Sequence, residues 1–177
     1  MTPAAQPPEP QEPAARRLIL LRHAKSDWPD VPDAERPLAK RGRRAAPRIG
    51  RWLHDQGYQP DVVICSTALR TRQTWDLVAA ELSGPEPGQS PQVQFEPRAY
   101  AASALALRFL VQELPARYRS ALLIAHNPGL AELAASLAQA PVSFPTAAVA
   151  VFELEGGWAD LWPAQVRLAA AVTPADL

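Results

Sequence analysis

Three short apolar runs constrain the fold of this chain more than any other feature of its sequence. RLILLR occupies residues 17–22, DVVIC occupies residues 61–65 and SALLIA occupies residues 120–125. Short runs that are apolar almost throughout are typical of strands buried on both faces of a sheet. Since helix-like segments separate these runs, the sequence predicts an α/β domain.

The spacing of apolar residues elsewhere predicts the remaining elements. Helices are expected over 39–56, 68–82, 103–114 and 128–138, further strands over 92–96, 147–154 and 166–172, and loops over 26–38 and 83–91. Together these elements predict a three-layer α/β/α sandwich with a mainly parallel central sheet.

Four residues mark the predicted bounds of the helices. Gly57 suits the position after the C-cap of the first helix, whereas Pro47 should kink that helix or split it in two. Asn127 and Pro128 are the residue types favoured at the N-cap and at the first position of the last helix.

The composition argues against several classes of protein. Lys plus Arg and Asp plus Glu both number 18, so no net charge favours nucleic acid or a membrane surface as a partner. The single cysteine, Cys65, excludes an intrachain disulfide and favours a reducing, cytoplasmic setting. We interpret residues 1–16, which contain five prolines, as a disordered tail, and residues 17–177 as a single domain.

Basic and imidazole side chains follow each of the three strongest strands. Arg22 and His23 end the first strand, residues 66–70 follow the second, and His126 and Asn127 follow the third. Because ligands of parallel α/β sheets bind at the carboxyl ends of the strands, these groups should meet at one rim. Arginine forks and helix N-termini bind phosphate oxygens, so the rim predicts a site for a phosphoryl group.

Imidazole adds a chemical possibility to such a site. A neutral imidazole can attack phosphorus, and a covalent phosphohistidine divides one hydrolysis into two easier steps. Taken alone, His23 is as well explained as a surface residue at a strand end, and His126 as a histidine near the core. With Arg22 and Arg70 at matching strand ends, a catalytic pair is the better interpretation.

Four ordered motifs resemble those of the histidine phosphatase superfamily. They are LRHAKSDW (21–28), CSTALRTRQT (65–74), the R-x-Y of Arg98 and Tyr100, and AHNPGL (125–130), and RPLAKRG (36–42) and FPTAAVA (144–150) add to the likeness. The chain is most similar to the short SixA-type phosphohistidine phosphatases of branch 1, over roughly residues 17–176. The resemblance implies a phosphoglycerate-mutase-like fold and a phosphorylated protein or small molecule as substrate, with no metal or organic cofactor.

The resemblance also implies roles for individual residues. His23 would be the phosphorylated nucleophile, Arg22 and Arg70 would hold phosphate oxygens, and His126 would lie opposite His23. Apart from the resemblance, we expect Asn127, Ser26 and Tyr100 to contribute to substrate binding, Ser26 through its proximity to His23 in sequence and Tyr100 either at the mouth of the pocket or, alternatively, as a packing residue.

Two departures from the mutase-like pattern bear on the general acid. Pro97 precedes Arg98 where mutase-like relatives carry the acidic Glu, and Pro29 stands where they carry an Asn. Glu96 lies one residue earlier, where a strand side chain faces the opposite way. The acid is therefore Asp27, Asp33, Glu35 or Glu96, or there is none, which a phosphohistidine substrate tolerates better than an alkyl phosphate.

Other interpretations of these residues are weaker. Cys65 lacks the Cys-x5-Arg spacing of thiol phosphatases and should be a buried strand residue. The histidines lack the paired spacing of a zinc site. A phosphatase for small phosphate esters and a non-catalytic phosphate-binding protein remain as alternative functions.

Overall fold

The structure is a computed structural model, and it describes residues 15–82 and 90–177. Residues 83–89 of the predicted loop and residues 1–14 of the predicted tail lie outside the described residues. Arg16 belongs to the first strand, where it pairs with Leu154. The first strand thus begins inside the segment predicted as tail.

In the described part of the chain, six strands form one sheet in the order β3-β2-β4-β1-β5-β6. The strands are β1 (Arg16–Arg22), β2 (Val62–Ser66), β3 (Gln92–Glu96), β4 (Ser120–Ala125), β5 (Val149–Leu154) and β6 (Val166–Val172). β3, β2, β4 and β1 are mutually parallel, whereas β5 and β6 pair antiparallel. The prediction of a mainly parallel sheet is confirmed.

Helices cover both faces of the sheet, which confirms the predicted three-layer sandwich. They are α1 (Lys40–Asp55), α2 (Leu69–Leu82), α3 (Ala104–Gln112) and α4 (Gly129–Ala138). α1 and α2 pack side by side on one face, and α3 and α4 pack on the other. The layers explain the unbroken apolar runs, because a strand between two helical layers buries both of its faces.

β1 illustrates how sequence alternation fills the two cores. Leu18 and Leu20 belong to the core beneath α3 and α4, whereas Ile19 and Leu21 belong to the core beneath α1 and α2. All four side chains are fully buried. Each contributes about 1.5–3 kcal/mol by leaving water, so this strand is fixed firmly at the centre of the sheet.

Two predicted helix features differ in the structure. α1 runs without interruption through Pro47, so the predicted split does not occur, while Gly57 follows the helix with φ +71°, as expected of a C′ glycine. α4 begins at Gly129 with Pro128 at the N-cap, and not at Pro128 with Asn127 at the N-cap. The Asn127 side-chain nitrogen donates to the Phe144 carbonyl (2.9 Å), and its Oδ1 accepts no hydrogen bond from the first turn of α4, so Asn127 does not cap the helix.

The start of α4 requires a glycine. A Cβ built on Gly129 would lie 2.0 Å from the carbonyl oxygen of Ala102. This close approach fixes the start of α4 relative to the end of β4, and with it the position of His126 and Asn127 between them. Among the described residues, no helix is long and apolar enough to span a membrane.

Candidate active site

The register of the parallel strands brings three strand ends to one rim. β4 lies between β1 and β2, with Arg22 opposite Ala125 and Cys65 opposite Ile124. His23, Ser66 and His126 each come one residue beyond a paired residue. The same edge of the sheet therefore presents all three side chains.

His23 and His126 form a buried imidazole pair at this rim. Their ring centroids lie 5.3 Å apart with the planes tilted by 52°. The two residues are only 7% and 6% exposed. The two histidines thus lie close together, as the sequence predicted.

The backbone selects the tautomer of His23. Nδ1 of His23 lies 2.8 Å from the carbonyl oxygen of Ala24, an acceptor, so Nδ1 carries the proton and donates it. Nε2 is left with a free lone pair. Burial, aided by the positive charge of Arg70, lowers the pKa of His23 to about 4, so the ring is neutral near pH 7.

Ser66 holds the second imidazole. Its Oγ lies 2.7 Å from Nε2 of His126, and it accepts a long hydrogen bond from the Ala68 N–H. Burial and then the neighbouring His23 lower the pKa of His126 to about 3. Nδ1 of His126 is buried without a hydrogen-bond partner among the described residues. No individual role was predicted for Ser66, and its signal in the sequence is that a polar residue directly follows an apolar run.

Two arginines flank the imidazole pair. Nη1 of Arg22 donates to the Phe144 carbonyl (3.2 Å), and burial lowers the pKa of Arg22. Arg70, in the first turn of α2, is only 6% exposed. The Nε atoms of both arginines are buried without a partner in the described part of the chain. These donors suit an anion, because unpaired buried N–H groups are costly.

An open pocket of about 220 Å³ joins these groups. Its lining consists of Arg22, His23, Lys25, Ser26, Trp28, Arg36, Arg70, His126, Asn127 and Thr146. The charged side chains in this lining are all cationic. Arg36 was not predicted as a site residue. It lies in the RPLAKRG segment, which sequence reasoning used only as a motif.

The loop between β1 and α1 delivers Arg36 to the pocket. Its guanidinium donates to Ser26 Oγ (2.7 Å) and to the Asp27 carbonyl (3.0 Å), and it stacks 3.2 Å from the centre of the Trp28 ring. Ser26, predicted to bind substrate, is thus in the pocket wall with its hydroxyl bound to Arg36.

Asp33 joins the loop to the rest of the site. Arg70 donates from Nη2 to Asp33 Oδ2 (3.0 Å) and from Nη1 to the Asp33 carbonyl (2.7 Å). Arg36 donates to Oδ1 (3.0 Å), and the Tyr100 hydroxyl donates to Oδ2 (2.6 Å). Hydrogen bonds from Tyr100 and the two arginines hold the pKa of Asp33 well below its usual range. Its carboxyl group is therefore ionised at neutral pH.

Of the other predicted substrate-binding residues, Tyr100 and Asn127 both lie beside His126. The Tyr100 ring packs edge-on against the His126 ring with centroids 5.6 Å apart. Asn127 lines the pocket, and its Oδ1 is buried without a partner among the described residues.

The remaining candidate acids do not line this pocket. Glu96 accepts hydrogen bonds from Arg98 and faces a separate groove with Gln94 and Glu113. Asp27 and Glu35 are exposed on the loop. Of the four candidates, only Asp33 contacts a predicted phosphate-binding arginine.

Cys65 is a buried strand residue, as predicted. Its side chain is fully buried, and burial raises the pKa of its thiol to about 12. A thiol so disfavoured as a thiolate is unsuited to nucleophilic attack.

Comparison with known proteins places this site in a family. The model of the histidine phosphatase superfamily (branch 1) matches residues 18–94. The uncharacterized protein Rv1276c of Mycobacterium tuberculosis is 34% identical over 155 residues, which are 81% of this chain and 92% of that protein.

Two solved structures support the same assignment. The candidate phosphohistidine phosphatase SixA from Nakamurella multipartita is 32% identical with a TM-score of 0.77, over 93% of this chain and 99% of that one. The candidate phosphohistidine phosphatase SixA from Agrobacterium tumefaciens is 26% identical with a TM-score of 0.74, over 90% and 99%. The chain belongs to the histidine phosphatase superfamily and is SixA-like. This membership supports phosphatase activity, and hence a hydrolase that acts on phosphorylated substrates.

Proposed function

We propose that the protein hydrolyses phosphohistidine in a protein substrate through a phosphorylated His23 intermediate. The observation that carries this proposal is a neutral, buried imidazole with a free Nε2, placed between two arginines in a pocket whose charged lining is wholly cationic. Likeness to two SixA-type chains supports the choice of phosphohistidine.

In the first step, Nε2 of His23 attacks phosphorus, and the P–N bond to the substrate imidazole breaks. Arg22, Arg70 and Nδ1 of His126 hold the three equatorial oxygens, where charge is concentrated in the transition state. Asn127 and Ser26 line the same pocket and orient the phosphoryl group. Tyr100 supports the His126 ring from the side.

In the second step, water attacks phospho-His23 and the P–N bond to Nε2 breaks. Inorganic phosphate leaves, and His23 returns to its neutral form with Nδ1 still bound to the Ala24 carbonyl. The same donors serve both steps. In each step the phosphoryl group lies in line between Nε2 of His23 and a second atom, the substrate nitrogen in the first step and the water oxygen in the second.

The protonation of the leaving group favours phosphohistidine over an alkyl phosphate. An alkoxide leaving group needs a general acid, whereas the leaving imidazole of phosphohistidine can already carry a proton on its other ring nitrogen. Within the described residues, no carboxylate lines the pocket, and the nearby Asp33 is held in its ionised form. A pocket lining without a carboxylic acid suits the imidazole leaving group.

Trapping the intermediate tests the proposal. The protein is mixed with ³²P-labelled phosphoramidate, a small P–N donor, quenched in alkali and separated by electrophoresis. We expect a label that is stable to alkali and lost in acid, absent from His23→Ala and present in His54→Ala, whose histidine is exposed on α1. An acid-stable label, or a label retained by His23→Ala, contradicts the mechanism.

A substrate panel then tests the leaving group. The ratio of kcat/KM for a phosphohistidine-containing protein to that for an alkyl phosphate should greatly exceed one. Equal turnover of both would make the protein an ester phosphatase. Binding of vanadate without turnover of any substrate would make it a phosphate-binding protein.

A further inference from the structure

Asp33 occupies a position that the proposed chemistry does not explain. Its carboxylate and its carbonyl both accept from Arg70, which the proposed function assigns to the phosphoryl group. Arg70 is almost fully buried, whereas the Asp33 side chain is 49% exposed. Arg70 is therefore held in place by its surroundings, whereas the Asp33 carboxylate is free to move into solvent.

We propose that Asp33 is a specificity-determining residue, an internal anion that competes with the phosphoryl group for Arg70 and so disfavours small phosphate ligands. This inference rests on the proposed function of Arg70 as a phosphate ligand. Two carboxylate-like partners cannot take the same face of one guanidinium fork. A phosphoryl group that takes the two Nη–H groups now donated to Asp33 has to displace Asp33.

Competition of this kind weakens the binding of every anion, because only the fraction of molecules in which Asp33 has left Arg70 can bind it. A small ligand such as inorganic phosphate has no other contact with which to offset that loss. A protein substrate does, because the loop that carries Asp33 also exposes apolar side chains beside the pocket. Trp28 is 76% exposed and Val31 is 40% exposed. Contacts with these side chains can move the loop and its carboxylate together.

The contacts of Asp33 favour competition over a purely supporting role. Arg70 approaches the pocket from the first turn of α2, a rigid element, and is 6% exposed. By contrast, Asp33 lies in a three-residue 3-10 turn (Asp33–Glu35) with no buried residue. A rigid arginine and a carboxylate on an exposed turn are what an internal competitor requires, since the carboxylate can leave while the arginine stays in place.

The test is the affinity for orthovanadate and for inorganic phosphate, measured by isothermal titration calorimetry on the full chain. In Asp33→Asn, which keeps the shape and the acceptor for Tyr100, we expect both anions to bind about three- to thirtyfold more tightly, the range of one charge-assisted contact. Asp33→Glu, which restores a carboxylate, should bind them as the wild type does. Glu35→Gln removes the same charge from the same turn, and its side chain makes no hydrogen bond or ion pair in the described part of the chain, so it should leave both affinities unchanged.

Other results overturn the inference. Unchanged affinity in Asp33→Asn would mean that Asp33 does not compete for Arg70. Weaker binding would make Asp33 a residue that positions Arg70. An equal gain in Glu35→Gln would assign the effect to the overall charge of the loop. These outcomes are independent of turnover, so a failure of the proposed hydrolysis is recognised separately by the labelling of His23.

Discussion

Ser66 Oγ lies 2.7 Å from Nε2 of His126, and this contact fixes which nitrogen of His126 faces the pocket. Ser66 accepts from the Ala68 N–H and has its own proton to donate to an unprotonated Nε2. With Nε2 as the acceptor, Nδ1 of His126 carries the ring proton and is the donor that the proposed mechanism assigns to a phosphoryl oxygen. The orientation of one proposed catalytic residue thus depends on a serine from the neighbouring strand.

Replacement of Ser66 by Ala should therefore lower kcat. The loss of one hydrogen bond that orients a catalytic ring corresponds to about a three- to tenfold decrease. Ser120→Ala is a matched control, because Ser120 is a buried serine at the opposite end of β4. Steady-state kinetics with phosphoramidate measures the effect, and equal losses in both variants would exclude a positioning role for Ser66.

Arg70→Lys should be far from neutral although it preserves the charge. Lysine cannot present the planar fork that binds two phosphate oxygens, so we expect kcat/KM to fall by roughly 100-fold. Arg72 lies two residues after Arg70 in α2 and is exposed, so the matched variant Arg72→Lys should keep wild-type activity. Restoration of full activity by lysine at position 70 would show that Arg70 supplies only charge.

The buried histidines predict how stability depends on pH. Burial lowers the pKa of His23 to about 4 and that of His126 to about 3, against about 6.5 in an unfolded chain. Between these values the unfolded chain binds protons that the folded one does not. The stabilisation is complete above pH 6.5 or so and is lost as the pH falls towards the folded pKa values, on the order of a few kcal/mol for each histidine.

Urea unfolding at about pH 7.5 and about pH 5 tests this dependence. The double variant His23→Gln/His126→Gln should lose less stability on acidification than the wild type. His54→Gln, which alters an exposed histidine of α1, should follow the wild type. A wild type and a double variant that lose the same amount would show that neither buried histidine resists protonation.

Gly129→Ala should destabilise the protein, because its Cβ would lie 2.0 Å from the Ala102 carbonyl oxygen, a backbone atom. Forced displacement of packed backbone costs about 1–3 kcal/mol. Gly157→Ala places its Cβ 3.5 Å from the nearest side-chain atom and should cost much less. The free energies of unfolding in urea compare the two, and a Gly129→Ala variant as stable as the wild type would show that α4 can shift without cost.

The sequence alone determined the frame of this protein. Its apolar runs specify buried strands because only a strand between two helical layers buries successive side chains on both faces. The order of strands and helices then brings Arg22, His23 and His126 to one rim, since the carboxyl ends of parallel strands share an edge. The prediction of Asn127 as an N-cap failed because its side chain is held by a tertiary hydrogen bond from its amide nitrogen to the Phe144 carbonyl, while its Oδ1 accepts nothing from the helix.

Only the tertiary structure decided the details that set the chemistry. Ser66 meets His126 across 60 positions of sequence, and Asp33 meets Arg70 across 37. Such contacts leave no local pattern, because they depend on how one loop lies over a strand end and on the depth to which each side chain is buried. The proposed nucleophile could be predicted from the sequence, whereas the hydrogen-bond partners of both histidines and the carboxylate already bound to Arg70 required the folded chain.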